Sequence, residues 1–97
     1  MRFKVSLVPS AERDLEQYTR RERGIILDAL SAFLESDADV ETRRKKRLRD
    51  NPLAPWELRI GELRVFYEIP APRVVRVLAI GHKEHNDLFI RGERVRL

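Results

Sequence analysis

The short segment GHKEHNDLF, residues 81–89, holds both histidines of the chain, His82 and His85. Histidine titrates near neutral pH, so it is suited to general acid-base chemistry, and Lys83 lies between the two. A solvated loop is the alternative. A metal site would need three or four ligands, and the two histidines with their neighbouring acids lack the spacing of a known cage. We therefore expect no metal and no other cofactor.

Two arginines form a second candidate site, for an anion. Gly61 and Glu62 suit a two-residue hairpin turn of type II′, which prefers glycine in the first central position. This turn puts Arg59 directly opposite Arg64, where two like charges destabilise a sheet. Both guanidiniums can point into solvent, a phosphate can bridge them, or Glu57 on the same strand face can neutralise Arg59. The sequence leaves these three alternatives open.

A basic run in the middle of the chain contributes to a net charge of +4 and a pI near 10.0. Lysine and arginine near phosphates release counterions and steer encounter, so this composition favours a polyanion as partner. Such a run is usually a solvated surface and only sometimes a nucleic-acid footprint. We expect it to form a short helix or an exposed connection. Its six basic residues are Arg43, Arg44, Lys45, Lys46, Arg47 and Arg49.

Apolar periodicity predicts the elements that position these residues. The alternating segment RFKVSLV, residues 2–8, predicts a strand that Pro9 ends. Ser10 is the predicted cap of a first helix, which should stop around residues 20–23. A wider apolar stripe predicts a second helix from about residue 22 to residue 35.

The turn at Gly61 sets the register of a hairpin over residues 56–67. The β-branched run RVVRVLAI then predicts a central strand that ends at Gly81. The final LFIRGERVRL can form one further hairpin. The first hairpin should pair three sets of apolar residues on one face: Trp56 with Tyr67, Leu58 with Val65, and Ile60 with Leu63.

The order of elements predicts an α+β fold, with two N-terminal helices packed on one face of a small, mainly antiparallel sheet (β-α-α-β-β-β). A length of 97 residues suits a single domain over residues 1–97. No apolar run approaches the roughly 18 residues of a membrane-spanning helix. Without cysteine the chain has no disulfide, and with no apolar signal segment we expect a cytoplasmic protein.

The segments KKRLRDNPLAPWELRIGELRVFYEI and VVRVLAIGHKEHNDLF resemble the RelE/ParE superfamily of bacterial and archaeal toxins. The resemblance covers nearly the whole chain and is most specific in LRIGELRVFYEI. It implies a toxin that a small antitoxin protein neutralises within a hetero-oligomer. In many members it also implies a metal-independent endoribonuclease that cuts mRNA at the ribosomal A site and so inhibits translation.

The resemblance also implies roles for single residues. Arg59, Arg64 and Lys83 would bind the scissile phosphate and stabilise its developing charge. The basic run is a predicted RNA contact on the ground of its charge alone, which would raise affinity for any polyanion without choosing one.

The ending HNDLF resembles the HSDLF ending of the YafQ-like branch. His85 is then the candidate general acid, and Phe89 would stack on a base where many members have a tyrosine that transfers a proton. Glu57 stands where RelE-like members often have a lysine, and it could serve as the base, as a glutamate does in YoeB-like members.

Two other functions stay open. The same fold can act as a ParE-like poison of DNA gyrase, which binds a protein target and performs no RNA chemistry. The departures from the RelE residue set at Glu57 and Phe89 favour this alternative. A family member without activity would bind only its antitoxin and operator DNA, as a regulator.

Overall fold

The computed structural model of the protein describes residues 2–97. Within them, neither helix is both long and apolar enough to cross a membrane. The elements are β1 (Lys4–Leu7), α1 (Pro9–Glu16), α2 (Arg20–Leu34), β2 (Lys45–Arg47), β3 (Trp56–Ile60), β4 (Leu63–Ala71), β5 (Val74–Glu84), β6 (Asp87–Ile90) and β7 (Glu93–Val95).

All seven strands belong to one sheet, in which β2 to β7 are neighbours in chain order. These pairs are antiparallel, whereas β1 pairs in parallel with the first half of β5. The long strand β5 is therefore central, with β4 along one edge and with β1 and β6 sharing the other. This confirms the predicted fold of two N-terminal helices and a mainly antiparallel sheet.

The helix boundaries differ from the predicted ones. α1 begins at Pro9, so the prediction of Ser10 as its cap is wrong; proline suits a first helical turn because its φ is preset and it has no N–H to satisfy. α1 ends at Glu16. Thr19 then opens α2 with a capping box, in which its hydroxyl accepts from the backbone N–H of Glu22 and its own N–H donates to the Glu22 carboxylate. Because this box starts a new helix, the first one cannot continue.

Both helices pack on one face of the sheet, which we call the helix side. The predicted register of the first hairpin is confirmed, and Trp56 stacks on Tyr67 with ring centroids 5.8 Å apart. The hydroxyl of the buried Tyr67 donates to the carbonyl of Ala38 at 2.8 Å. The buried core on this side includes Ala11, Ile26, Ala29, Leu30, Leu34, Leu58, Val65, Val75, Val77 and Ile80.

Four two-residue turns, at residues 61–62, 72–73, 85–86 and 91–92, join strands β3 to β7. Gly61 has a φ of +58°, and Glu62 is not among the residues with positive φ, which agrees with the predicted type II′ turn. Arg91 and Gly92 both have positive φ, as a type I′ turn requires, and they form the predicted terminal hairpin. This confirms both hairpin predictions.

β5 continues past Gly81, so the prediction that the strand ends there is wrong. A Cβ atom on Gly81 would lie 2.5 Å from the carbonyl oxygen of Phe89 and 2.8 Å from Cγ1 of Ile90. The glycine is therefore explained by the close approach of β6 and not by a turn.

A second apolar cluster lies on the opposite face of the sheet and contains Ala54, Phe66, Ala79, Leu88 and Ile90. Part of its cover is the segment of residues 48–55. Asn51 holds this segment: its Oδ1 accepts from the backbone N–H groups of Leu53 and Ala54, and its Nδ2 donates to the carbonyls of Arg49 and Ala54. The loop thus leaves only part of this face open.

Candidate functional site

Four of the six predicted catalytic residues share the face opposite the helices. Arg59 pairs with Arg64 across β3 and β4, and Arg64 pairs with Gly81 across β4 and β5. Residues two positions apart on a strand share a face, so Glu57 and Lys83 belong to this face as well. We call Glu57, Arg59, Arg64 and Lys83 the basic site. It combines one carboxylate with three cationic side chains.

Glu57 lies between the two arginines and is only 4 % exposed. One carboxylate oxygen accepts from Nε of Arg59 at 2.7 Å, and the other lies 3.8 Å from Nε of Arg64. Of the three alternatives for this like-charged pair, neutralisation by Glu57 is therefore the one present. The Glu57 carboxylate neutralises both arginines, although the alternative derived from the sequence concerned only Arg59.

Arg64 is the most constrained cation of the site. Its side chain is 13 % exposed, and its Nη1 donates to the carbonyls of Gly61 at 2.6 Å and Leu63 at 2.9 Å. Its Nε is buried without a hydrogen-bond partner among residues 2–97. An unsatisfied buried donor costs roughly 1–3 kcal/mol and is uncommon outside functional sites.

A groove of about 560 Å³ opens beside this site. Glu57 and Lys83 line it from the sheet, together with Asn86 of the turn between β5 and β6, and Arg94 and Arg96 line it from the end of the chain. Glu57 and Lys83 of the basic site thus line the same groove.

The basic run is neither a helix nor an exposed connection, because residues 45–47 form the edge strand β2. The prediction for this segment is wrong. Lys45 is 2 % exposed, and its Nζ donates to the carbonyls of Phe33 at 3.2 Å and Asp37 at 2.6 Å, with the Asp37 carboxylate 3.0 Å away. Lys45 therefore fastens the end of α2 to the sheet, and in this conformation its ammonium does not face a surface that RNA could reach.

The other residues of the run are more accessible, but they do not form one surface. Arg43 and Arg44 line a cavity of about 430 Å³ with Arg59 and Gly61, and no acidic residue lines it. Arg47 lies over the ring of Trp56 at 5.7 Å, on the helix side. Lys46 is partly buried on β2, and Arg49 is exposed in the following segment.

His85 and Phe89 do not lie with the basic site on the sheet face. His85 and Asn86 are the central residues of the turn between β5 and β6, with φ of +51° and +70°, so the imidazole of His85 is exposed at a hairpin tip. Phe89 pairs with His82, one residue from Gly81, and therefore lies on the helix side. The signal for the turn was the asparagine, which tolerates positive φ.

The histidine with the most contacts is His82, which sequence reasoning did not single out. The Tyr18 hydroxyl lies 2.8 Å from its Nδ1, a Glu84 carboxylate oxygen lies 2.7 Å from its Nε2, and its ring stacks on Phe89 at 5.8 Å. Burial, then the carboxylates of Asp14 and Glu22, raise the pKa of Tyr18 to about 12. The phenol therefore keeps its proton and can donate it to a neutral His82.

The family to which this fold and site belong follows from comparison with known proteins. Residues 5–87 match the family described as the ParE toxin of type II toxin-antitoxin system, parDE. The chain therefore belongs to the ParE toxin family, within the RelE/ParE superfamily, and is a toxin of the type II toxin-antitoxin class.

The fold is similar to a solved structure titled the toxin-antitoxin complex RelBE2 from Mycobacterium tuberculosis. The two chains share 23 % identity at a TM-score of 0.68, with 86 % of this chain and 100 % of that chain covered. At this identity the likeness concerns the fold alone. No curated protein matches the chain in sequence.

Proposed function

We propose that this toxin is a metal-independent endoribonuclease that cleaves mRNA on the ribosome and so inhibits translation. The observation that supports it most is the convergence of Arg59, Arg64 and Lys83 with the carboxylate of Glu57 on one face of the sheet. Such a set can bind a phosphate and stabilise the charge that develops on it.

The reaction needs a base, an acid and cations. Glu57 takes the proton of a ribose 2′-hydroxyl, whose oxygen attacks the adjacent phosphorus and forms a cyclic phosphate while the bond to the 5′-oxygen breaks. Arg59, Arg64 and Lys83 offset the added negative charge on the phosphate. His85 protonates the leaving 5′-oxygen. Its neighbour Asn86 lines the same groove as Glu57 and Lys83, which supports this role.

The remaining predicted roles follow from this proposal. Phe89 stacks on a base of the bound mRNA, at the edge where β6 meets the helix side. Arg43, Arg44, Lys46 and Arg49 contact the RNA backbone, whereas Lys45 has no such role because its side chain is buried. The partner in the cell is a cognate antitoxin protein, which binds this cytoplasmic toxin in a hetero-oligomer.

A second function, inhibition of DNA gyrase, has its own support. His85 and Phe89 lie off the face that carries Glu57 and the arginines. A protein that only binds gyrase would not need these groups to converge on one phosphate.

Primer extension on a defined mRNA with programmed ribosomes tests the proposal. The wild-type chain should produce ribosome-dependent breaks, and Arg64→Ala and His85→Ala should each lose them while keeping the fold and antitoxin binding. Arg13→Ala, which removes an exposed arginine of α1, should cleave normally. Intact mRNA at high toxin concentration, with inhibited supercoiling in a gyrase assay, would replace the first function with the second.

A further inference from the structure

A groove of about 660 Å³ opens on the helix side, between the junction of the two helices and the turn between β3 and β4. Its apolar part comprises Ile60, Leu63 and Ile25. Ile25 is 40 % exposed although it belongs to the amphipathic helix α2, whose core residues face the sheet. Ile25, Ile60 and Leu63 together give the groove a contiguous apolar lining, and a contiguous patch rather than a single exposed residue is what indicates an interaction site.

The polar lining of this groove is acidic. Glu22 and Glu62 line it together with Gln17, and among residues 2–97 no lysine or arginine does so. Glu62 forms no ion pair within residues 2–97. Hydrogen bonds from Thr19 lower the pKa of Glu22, so this carboxylate stays charged. The groove thus carries negative charge on a chain whose net charge is +4.

Tyr18 and His82 form the end of the groove. The His82 ring is hydrogen-bonded to the Tyr18 hydroxyl through Nδ1 and to the Glu84 carboxylate through Nε2. The side chains that line the groove would present carboxylates to a phosphate, and the nearby guanidinium of Arg23 is bonded to the Tyr18 carbonyl at 2.7 Å. Nucleic acid is therefore a poor occupant. An apolar side chain could enter beside Ile25 and Leu63, and flanking cations could pair with the rim.

From this charge pattern we propose that the acidic groove, defined by Tyr18, Glu22, Ile25, Glu62 and His82, binds a basic amphipathic segment of another protein. The segment inserts an apolar side chain against Ile25 and pairs its lysines or arginines with Glu22 and Glu62. This surface is on the opposite face of the sheet from the basic site, although His82 at its end stacks on Phe89. Peptide binding is therefore measured without RNA, so that its result does not depend on cleavage.

The test measures binding of two fluorescent peptides of about 12 residues by anisotropy. Both carry leucines at helical i, i+4 spacing; one has lysines at the other positions and the matched one has glutamates. The lysine peptide should bind and the glutamate peptide should not. Binding should weaken with rising salt because screening reduces the charge pairing.

Single and double substitutions show whether the lysine peptide binds in the acidic groove. Ile25→Ser should weaken binding about fivefold, whereas Leu27→Ser, which removes a similarly exposed residue of the same helix outside the groove, should leave it unchanged. The pair Glu22→Gln with Glu62→Gln should weaken binding about tenfold at low salt, and glutamine preserves the capping box of α2. Glu93→Gln on β7 is the charge control.

Equal binding of the two peptides, or full binding by Ile25→Ser, would overturn the proposal. So would self-association of the chain that Ile25→Ser abolishes, since the occupant would then be a second copy. Circular dichroism of each variant excludes loss of fold as the cause.

Discussion

Replacing Glu57 with glutamine should destabilise the toxin and strengthen its binding to RNA at the same time. The buried carboxylate is bonded to Arg59 at 2.7 Å and lies 3.8 Å from Arg64. Removing one partner of a buried ion pair costs about 3–5 kcal/mol. Arg59 is 47 % exposed, and the glutamine oxygen can still accept from it. We therefore expect a loss of about 2–3 kcal/mol, measured by urea denaturation.

The same change removes the only negative charge of the basic site, leaving Arg59 and Arg64 free to pair with phosphate. Affinity for a short single-stranded RNA should rise, and the dependence of log K on log salt should steepen by about 0.7 for each additional phosphate that the site neutralises. If Glu57 is the base, cleavage should fall by about 10²–10⁴ despite tighter binding. Glu12→Gln, which neutralises an exposed acid in the first turn of α1, should lower the free energy of unfolding by less than about 1 kcal/mol and leave RNA binding and cleavage unchanged.

Two results would refute this reasoning. An unchanged free energy of unfolding would mean that Glu57 does not hold the two arginines in solution. Unchanged cleavage, together with an unchanged slope of log K against log salt, would show that Glu57 neither acts as the base nor competes with phosphate for the two arginines.

Three further predictions concern the surrounding structure. Gly81→Ala should lower the free energy of unfolding by about 1–3 kcal/mol in thermal denaturation, because its Cβ would lie 2.5 Å from the carbonyl oxygen of Phe89; an unchanged melting temperature would contradict that close approach. Lys45→Met should cost about 1–3 kcal/mol, because the carbonyls of Phe33 and Asp37 lose their donor, yet it should not weaken RNA binding; weaker binding would show that Lys45 contacts RNA. Tyr18 has a folded pKa of about 12, above its ordinary value near 10. The unfolded chain loses the phenol proton of Tyr18 at lower pH than the folded chain, so the free energy of unfolding should fall as pH rises from about 10 to about 12. Tyr18→Phe should make the free energy of unfolding less dependent on pH in this range.

The part of the fold that follows from local pattern was predictable. The glycine of the type II′ turn at Gly61 determines the register of β3 and β4, so the pairing of Arg59 with Arg64 could be derived before the structure was known. The capping box at Thr19 also has a visible sequence signature, although it was missed.

Other features depend on contacts between distant residues. Lys45 resembles the other cations of its run, and only the carbonyls at the end of α2 make it a buried residue. His82 is separated from Tyr18 by 64 positions, so no local pattern links them. The side of the sheet on which Phe89 lies depends on a single-residue register between β5 and β6.

The most direct test of the proposed function follows protein synthesis and DNA supercoiling side by side after the toxin is expressed without antitoxin. If the toxin cleaves mRNA, amino-acid incorporation should stop first while plasmid supercoiling is unchanged, and Arg64→Ala should restore incorporation. Loss of supercoiling before any fall in protein synthesis would contradict the ribonuclease proposal and assign the toxin to gyrase.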